Sequence, residues 1–394
     1  MQTQPQQLRI LVINNEYPPL GGGAGVCTRY QSEGWANQMG HQVSIITSWY
    51  KGQPAIEENG NLTIYRIVCR RKHDFQSNPI EMLSFAFAAK KFLNQHLISH
   101  SYHICIAHYA LPSGWVAKYA YQHFKLPYII ISHGHDIPFA HPKQMLKYHL
   151  PTYFWLKSIF SKAKRTVLLT TEMKQMADNF LGENYSKKNI VIPNGCHSAS
   201  FYPDESKKNK QFTILFAGRL VTQKDPLTFL KAIRILKETK PDISFKVNIL
   251  GDGPMRRQME NFVVKNHLSG CVTFHGWVNK ATMLAHYQAS SLQIISSIYE
   301  AMSIAALEAL SCGLYLISTP VSGNNELIIP SMNGQLVPFK NPDAIASNLA
   351  HFYENKFTSK YKIPEGETQN LRCKFDWANI NQQYESIIRQ VVSQ

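Results

Sequence analysis

Short runs of apolar, often β-branched residues recur along the chain and alternate with longer stretches that have the spacing of amphipathic helices. The length of these runs and the turn residues around them predict buried strands. The predicted strands are 8–13, 43–47, 62–68, 104–107, 128–132 and 166–170 in the first half, and 213–217, 246–250, 272–274, 292–296 and 314–318 in the second. Strands that alternate with helices predict an α/β fold with doubly wound parallel sheets, each covered by helices on both faces.

Chain length and one polar segment predict two domains. A chain of 394 residues exceeds what one hydrophobic core usually supports, and residues 198–211 are polar and rich in charge, as is typical of a linker. The last predicted helix, 376–392, carries a stripe that has to be buried, made of Trp377, Ile380, Tyr384, Ile387, Ile388, Val391 and Val392. We therefore expect domains over 1–197 and 198–375, with 376–394 added to the first.

The charge is +15 and is concentrated in the first half, where residues 1–200 hold 20 Lys/Arg and 10 Asp/Glu. Such a balance suits an anionic partner (a phospholipid surface, a nucleic acid or a phosphorylated acceptor), although ordinary basic proteins share it.

Seven scattered cysteines without a C-x-x-C pair favour reduced thiols over a disulfide framework or a zinc site. No apolar run approaches the ~18 residues of a membrane span or resembles the core of a signal peptide. We expect a cytoplasmic chain, or one bound peripherally to the inner face of the cell membrane.

Two glutamates eight positions apart, Glu300 and Glu308, flank an alanine-rich stretch after the predicted strand 292–296. A strand, a turn and a helix N-terminus form an anion site, because the first N–H groups of a helix lack partners. A helical rise of ~1.5 Å per residue would set the two acids roughly 12 Å apart at most. This spacing suits a nucleoside diphosphate sugar, which has an anionic centre and hydroxyls at both ends. A solvated helix with two unrelated acids is the alternative.

Two polar segments follow predicted strands of the first half. Residues 17–25 (YPPLGGGAG) supply consecutive glycines that let a backbone approach phosphate. Neither G-x-G-x-x-G nor a Walker A sequence is present, which disfavours a nicotinamide enzyme or a P-loop ATPase and leaves a plain glycine turn as the alternative. His133-Gly-His-Asp136 follows the strand 128–132, at the strand end where α/β sheets bind ligands. Its histidines suit a sugar hydroxyl, and no third ligand at suggestive spacing favours a metal.

Two segments of the second half also follow strands. Arg219 and Lys224, in GRLVTQKDP, offer a guanidinium fork and an ammonium group to phosphate oxygens. Surface cations are common, so the pair gains weight only beside the two glutamates. Gly251-Asp-Gly253-Pro254 favours a plain strand-to-helix turn over a ligand contact.

Seven motifs, taken in order, resemble those of the retaining GT-B glycosyltransferases often called family 4. They are EYPPLGGGAG, HGHD, IPNGC, FAGRLVTQKD, LGDGP, FHGWV and the E-x7-E element followed by SCG. The resemblance runs from about residue 9 to 392, and G-R-L-x-x-x-K-D together with E-x7-E is its specific part. It implies two Rossmann-like domains facing a cleft, with the last helix crossing back to the first domain. It also implies a retaining, metal-independent hexosyltransferase without a required cofactor, whose donor is a UDP- or GDP-sugar, UDP being favoured.

The resemblance also implies a role for individual residues. Glu308 would hold the ribose hydroxyls and Glu300 the hydroxyls of the donor sugar, while Arg219 and Lys224 would neutralise the diphosphate. His133 resembles the active-site histidine that faces the donor sugar. The other implied donor contacts are Gly22, Gly23, Gly253, Trp277, Val278, Met302, Ser303 and Ile304.

One segment departs from the family pattern. Many members read E-G-F-G where this chain has Glu300-Ala-Met-Ser303. Alanine and serine adopt positive φ only at a cost. We therefore expect the loop to hold the sugar differently.

The acceptor is expected on the first domain, as a glycan or a lipid-linked molecule in bacterial polysaccharide, lipopolysaccharide or glycolipid synthesis. Residues 141–165 mix cations with aromatics, and 70–73 (RRKH) adds a basic cluster. Docking on anionic lipid is one interpretation, and a core helix with solvated lysines is the other. A GT-B sugar-nucleotide epimerase remains an alternative function. A nucleic-acid-binding protein is remote, because no binding motif accompanies the charge.

Overall fold

A computed structural model describes residues 6–73, 77–138 and 142–394. The chain forms two compact units. Unit 1 comprises Met1–Asn194 with Trp377–Gln394, and unit 2 comprises Gly195–Asp376.

The division between the units falls after Asn194 instead of after residue 197. The segment that follows is hydrogen-bonded to the end of unit 2, because Cys196 N donates to Phe375 O at 2.7 Å and Ser198 Oγ contacts Asp376. Residues 195–197 therefore belong to unit 2.

The strands of the described residues form one sheet in each unit. They are β1 Arg9–Ile13, β2 Gln42–Ser48, β3 Ile56–Asn59, β4 Leu62–Ile67, β5 Ile104–His108, β6 Tyr128–Ile131, β7 Arg165–Leu168, β8 Asn189–Val191, β9 Phe212–Ala217, β10 Phe245–Leu250, β11 Val272–Gly276, β12 Leu292–Ile295, β13 Tyr315–Ser318 and β14 Gly334–Leu336. The order is β3-β4-β2-β1-β5-β6-β7-β8 in unit 1 and β11-β10-β9-β12-β13-β14 in unit 2. All pairs are parallel except β3 with β4. The predicted α/β class with two Rossmann-like sheets is confirmed.

Helices cover these sheets. The α-helices are α1 Gly23–Glu33, α2 Pro79–Ser99, α3 Trp115–Phe124, α4 Pro142–Lys162, α5 Thr171–Leu181, α6 Glu183–Ser186, α7 Pro226–Thr239, α8 Arg256–Lys265, α9 Lys280–Ala289, α10 Ile304–Ser311, α11 Ser322–Leu327, α12 Pro342–Phe352, α13 Glu365–Lys374 and α14 Trp377–Val392. Within the described residues, none of these helices has the length and apolar character needed to span a membrane.

The core of each unit lies between its sheet and its helices. In unit 2 the β9 residues Phe212, Ile214 and Phe216 pack in one cluster with Phe229 and Ile233 of α7. Each of these five side chains is at most 2% exposed. Burial of such side chains contributes roughly 1.5–3 kcal/mol each, which fixes the strand ends that carry the site.

The C-terminal helix α14 packs in unit 1, as predicted. Its stripe is buried apart from Val392, which is partly exposed. The Tyr384 and Trp35 ring centroids lie 5.8 Å apart, and His41 Nε2 lies 2.8 Å from Glu385 Oε2. The last helix therefore belongs to the core of the first unit.

Candidate functional site

In unit 2 the turns that follow β9, β10 and β11 interlock through their backbones. Gly218 N donates to Leu250 O at 3.0 Å, and Gly251 N donates to Gly276 O at 2.7 Å. A Cβ at Gly251 would overlap the Gly218 carbonyl oxygen, and one at Gly253 would lie 2.5 Å from Leu220 O. The G-D-G-P segment is thus required by close backbone approach, and this approach fixes the turn that carries Arg219.

Lys224 and Glu300 form an ion pair at this edge of the sheet. Lys224 Nζ lies 2.7 Å from Glu300 Oε1, and the side chains are 17% and 9% exposed. Ser297 Oγ donates to the same oxygen at 2.5 Å. The structure therefore brings together two residues for which the sequence predicts binding to adjacent parts of one ligand.

The segments on either side of this pair bind each other. Ile298 N donates to Gln223 O at 2.9 Å, and Gln223 Nε2 donates to Tyr299 O at 2.8 Å. Ser296 Oγ lies 2.9 Å from the carbonyl oxygens of Lys224 and Asp225. These contacts hold the Lys224 turn against the loop 296–303, so the protein's own hydrogen bonds position both charged groups.

Glu300 lies in this loop, because α10 begins only at Ile304. The estimate of roughly 12 Å between the two glutamates assumed one continuous helix and therefore does not apply. Ser303 is the N-cap residue, with φ −79° and Oγ accepting from Ala306 N at 3.4 Å. No positive φ occurs at residues 301–303. Alanine and serine thus fit the loop without backbone strain.

A glycine supports the loop from the neighbouring helix α11. A Cβ at Gly323 would lie 2.6 Å from Met302 Cα and 2.8 Å from Ala301 O. Both loop residues are buried, at 6% and 8% exposure. Close packing therefore fixes the backbone that leads into α10, where Met302, Ser303 and Ile304 lie.

Glu308 lies on the second turn of α10 and contacts a buried tyrosine. Tyr287 Oη donates to Glu308 Oε2 at 3.1 Å. Burial raises the pKa of Glu308 to about 7, and the Tyr287 hydrogen bond and the Lys280 charge oppose this rise. The carboxyl group therefore changes charge near neutral pH, and hydroxyl groups that donate to it favour its ionised form.

Arg219, Trp277 and Val278 lie on the same edge of the sheet, outside the ion pair. Arg219 is half-buried directly after Gly218, and Trp277 is 70% exposed after β11. In the sheet order β11-β10-β9-β12, three strand spacings separate Trp277 from the strand that leads to Glu300. At ~4.8 Å per spacing the two strands are roughly 14 Å apart, a distance that an extended ligand is needed to span.

In unit 1, His133 bonds to a second histidine, His108, at the end of β5. His108 Nδ1 lies 3.0 Å from His133 Nε2. Burial lowers the pKa of both histidines. The pKa of His133 falls to about 3, and the nearby His135 makes a smaller contribution to this decrease. The pair is therefore neutral at physiological pH, and a single proton lies between the rings.

The surroundings of His108 indicate which ring donates. Its Nε2 is buried and has no hydrogen-bond partner. A buried N–H without a partner costs more than an acceptor without one. We infer that His108 Nδ1–H donates to His133 Nε2, so His133 carries its own proton on Nδ1.

An acidic network holds the backbone around this histidine pair. Asp136 accepts from Ser132 Oγ at 2.6 Å and from Ala110 N at 2.8 Å. Burial raises the pKa of Asp136, and the hydrogen bonds oppose this rise. Tyr109, with its ring centroid 4.8 Å from that of His133, has φ +69°, which is uncommon for a residue with a side chain. The network therefore stabilises a strained turn beside His133.

The glycine loop of unit 1 leads directly into α1. Gly22 is the N-cap of this 11-residue helix, and Gly23 is its first residue. Gly21 has φ +85°, and a Cβ there would lie 2.6 Å from Glu16 Oε2. Arg71 Nη2 lies 3.8 Å from Glu16 Oε1. The Glu16 carboxylate therefore packs against Gly21, and Arg71 lies close enough to offset its negative charge.

Sequence reasoning missed His108 and Tyr109. The predicted strand 104–107 ends directly before them, and polar residues at the carboxyl ends of parallel strands indicate ligand sites. The rule that selected His133 thus applies equally to His108. In the described residues no group of three or more His, Cys, Asp or Glu is placed to hold a metal ion.

Comparison with known proteins identifies the family. The model "Glycosyltransferase Family 4" matches residues 21–199, and "Glycosyl transferases group 1" matches residues 200–369. The chain belongs to the group 1 glycosyltransferases with the GT-B fold.

Relatives and solved structures agree with this assignment. The uncharacterised glycosyltransferase MJ1178 of Methanocaldococcus jannaschii is 26% identical over 295 residues, 75% of this chain and 77% of the relative. The UDP-Gal:alpha-D-GlcNAc-diphosphoundecaprenol alpha-1,3-galactosyltransferase of Escherichia coli is 29% identical over 218 residues, 52% of this chain and 55% of the relative. Sucrose-phosphate synthase of Thermosynechococcus elongatus has a similar structure, with TM-score 0.84 at 18% identity over 98% of this chain and 100% of that one.

Proposed function

We propose that this glycosyltransferase moves a hexose-type sugar from a nucleoside diphosphate sugar to a glycan or lipid-linked acceptor. The observation that carries the proposal is the Lys224–Glu300 pair, 2.7 Å apart beside the loop that enters α10. One ligand with a diphosphate and a hydroxyl-bearing sugar satisfies both charges. The Escherichia coli relative is named for a UDP-sugar donor and a diphosphoundecaprenol acceptor. This favours UDP over GDP, and bacterial surface polysaccharide or glycolipid synthesis as the pathway.

The donor roles are assigned to individual residues of this sheet edge. Lys224 and Arg219 neutralise the diphosphate, and Glu300 accepts from the sugar hydroxyls. Glu308 accepts from the ribose. The remaining donor contacts are backbone and side-chain groups of Gly22, Gly23, Gly253, Trp277, Val278, Met302, Ser303 and Ile304. Of these, Gly253 has a packing reason of its own, so a ligand contact there would come from its backbone.

The ion pair is shared with the donor instead of being broken by it. A lysine ammonium has three N–H donors and a carboxylate has about four acceptor sites. Lys224 therefore keeps Glu300 as a partner while it takes a phosphate oxygen, and Glu300 retains sites for sugar hydroxyls. Binding then costs little rearrangement, because Ser297 and the turn contacts already hold both groups.

During transfer, the bond between the anomeric carbon and the diphosphate oxygen breaks, and negative charge develops on that oxygen. Arg219, Lys224 and the N-terminus of α10 stabilise this charge, which makes the reaction independent of a metal ion. The acceptor oxygen attacks from the face that the diphosphate leaves, with retention, and its proton passes to the departing phosphate oxygen. His133, neutral and protonated on Nδ1, donates a hydrogen bond to the transferred sugar.

The Lys224→Ala variant tests this assignment. Loss of the ammonium removes charge stabilisation specific to the transition state, so we expect turnover to fall by about 100- to 1,000-fold while the fold persists. Lys231→Ala, an exposed lysine on α7, is the matched control and retains wild-type turnover. Undiminished turnover of Lys224→Ala with a UDP-sugar and a polyprenyl-diphosphate-linked acceptor would overturn the role. An epimerised donor formed without acceptor would instead support the epimerase.

A further inference from the structure

Unit 1 exposes large apolar side chains on both α2 and α4. This set, called here the basic apolar surface, comprises Leu83 (40% exposed), Phe87 (62%), Leu150 (60%) and Phe154 (84%). The same helices bury other residues against the core, such as Phe85 on α2 and Phe160 on α4. Each helix therefore has a core face and a second, outward apolar face. Over the part that the structure describes, the predicted basic segment 141–165 contains buried aromatics such as Phe160 and exposed ones such as Phe154. Residue 141, the first of the predicted basic segment, lies outside the described residues.

Aromatic contacts link the three helices α2, α3 and α4 beside this surface. The Phe87 ring centroid lies 5.5 Å from that of Trp115 on α3, which lies 4.7 Å from that of Trp155 on α4. Lys90 Nζ lies 3.2 Å from the Trp115 centroid. An aromatic strip with a cation on it thus joins the helices that carry the surface.

Over residues 77–165, the segment that contains α2, α3 and α4, the exposed charges have one sign. Residues 77–165 contain ten Lys/Arg but only two Asp/Glu, Glu81 and Asp136. Both acids are buried, at 8% and 6% exposure, where Glu81 completes the capping box of α2 and Asp136 binds Ser132. Their burial leaves only cations among the exposed charges of this segment, including Lys147 beside Leu150 and Phe154.

We propose that the basic apolar surface docks unit 1 on a bilayer that contains anionic phospholipid. Leu83, Phe87, Leu150 and Phe154 enter the boundary between headgroups and acyl chains, and the surrounding lysines bind the anionic headgroups. Exposed leucines have no favourable partner on a nucleic-acid backbone, which favours lipid over nucleic acid. The inference is independent of the donor chemistry, since binding to vesicles needs no nucleotide.

The test is cosedimentation of the full chain with vesicles of phosphatidylcholine, with and without phosphatidylglycerol, at low and high salt. We expect binding to the anionic vesicles only, weakened by salt. Phe87→Ser/Phe154→Ser and Lys147→Glu/Lys157→Glu should each weaken it at least tenfold. The matched controls are Val264→Ser and Lys265→Glu on α8 of unit 2, which should bind like wild type. Val264 is a 67% exposed apolar residue, and Lys265 is an exposed lysine.

Several results would overturn the proposal. The first three are no sedimentation of wild type with anionic vesicles, unchanged sedimentation of both double variants, and equal losses of binding in the controls. The fourth is that a duplex oligonucleotide displaces the chain from vesicles and binds wild type and Phe87→Ser/Phe154→Ser equally tightly. Transfer to a water-soluble acceptor, measured on the same preparations, shows that the variants are folded. It also separates a failure of docking from a failure of the proposed transferase activity.

Discussion

At the scale of single residues, the proton between His108 and His133 decides what His133 presents to a ligand. The two rings are 3.0 Å apart at their facing nitrogens, and the His108 Nε2 atom has no partner. Under the proposed function, His108 acts through His133 as a positioning residue. Because the pKa of His133 is lowered to about 3, this arrangement persists over the whole physiological pH range.

Replacing His108 by phenylalanine should lower turnover while leaving donor affinity nearly unchanged. Loss of the ring contact frees the orientation of His133, and misplacement by about 1 Å can cost on the order of 100-fold in rate. Asparagine places an amide N–H near the original Nδ1 and should retain more rate than phenylalanine. Nitrogen-15 spectra of His133 check the cause, since the proton should remain on Nδ1 in His108→Asn and redistribute in His108→Phe. An unchanged tautomer with full rate in His108→Phe would contradict the role.

Nucleotide affinity should depend on pH through Glu308. Its pKa is raised to about 7 by burial, and ribose hydroxyls donate to the ionised carboxylate but compete poorly for the protonated one. Affinity for UDP should therefore weaken as pH falls below about 7, and Glu308→Gln should bind weakly with little pH dependence. Calorimetric titration from pH 5.5 to 8.5 checks this, and a flat wild-type profile would contradict it.

The same group affects stability in the opposite direction. A glutamate has an ordinary pKa of 4.5, so between that pH and about 7 the folded chain holds a proton that the unfolded chain has lost. The contribution of Glu308 to the free energy of unfolding is therefore fully present below pH 4.5 and is lost as pH rises through about 7. The urea midpoint of wild type minus that of Glu308→Gln should therefore fall as the pH is raised from 4.5 to about 7.

At the scale of elements, the turns after β9, β10 and β11 form one rigid edge because glycines let their backbones touch. Gly251 has φ +117° and contacts Gly218. Gly251→Ala should reduce the free energy of unfolding by at least about 1–3 kcal/mol and weaken donor binding, because the Arg219 turn must shift. Gly366→Ala on α13, where a Cβ would meet nothing within 4 Å, is the control and should be neutral or stabilising. Equal urea midpoints for Gly251→Ala and wild type would contradict this explanation.

The sequence predicts the central strands well and the sheet edges poorly. Buried parallel strands such as β9 are continuous apolar runs, whereas β3, β8 and β14 escape prediction because each is a short strand of three or four residues at a sheet edge. Edge strands bury little, so their composition carries a weak signal. The Glu300 loop is a similar case, because its conformation depends on Gln223 and Gly323, which are distant in sequence.

At the scale of the whole molecule, each unit contributes different chemistry. Unit 2 carries Lys224, Glu300 and Glu308, groups of both signs that suit a nucleotide sugar. Unit 1 carries a neutral histidine pair and a surface whose exposed charges over residues 77–165 are cationic. This division favours a donor held by unit 2 and an acceptor supplied at an anionic surface next to unit 1.

The most direct test of the central claim is the melting temperature of the wild-type chain with UDP, GDP, ADP and their sugars. A ligand that binds only the native state at 100 times its Kd stabilises it by about 2.7 kcal/mol. The proposed donor site predicts that UDP and UDP-sugars raise the melting temperature more than GDP or ADP do. The increase with UDP should be smaller in Glu308→Gln. An unchanged melting temperature with every nucleotide and nucleotide sugar would contradict the site.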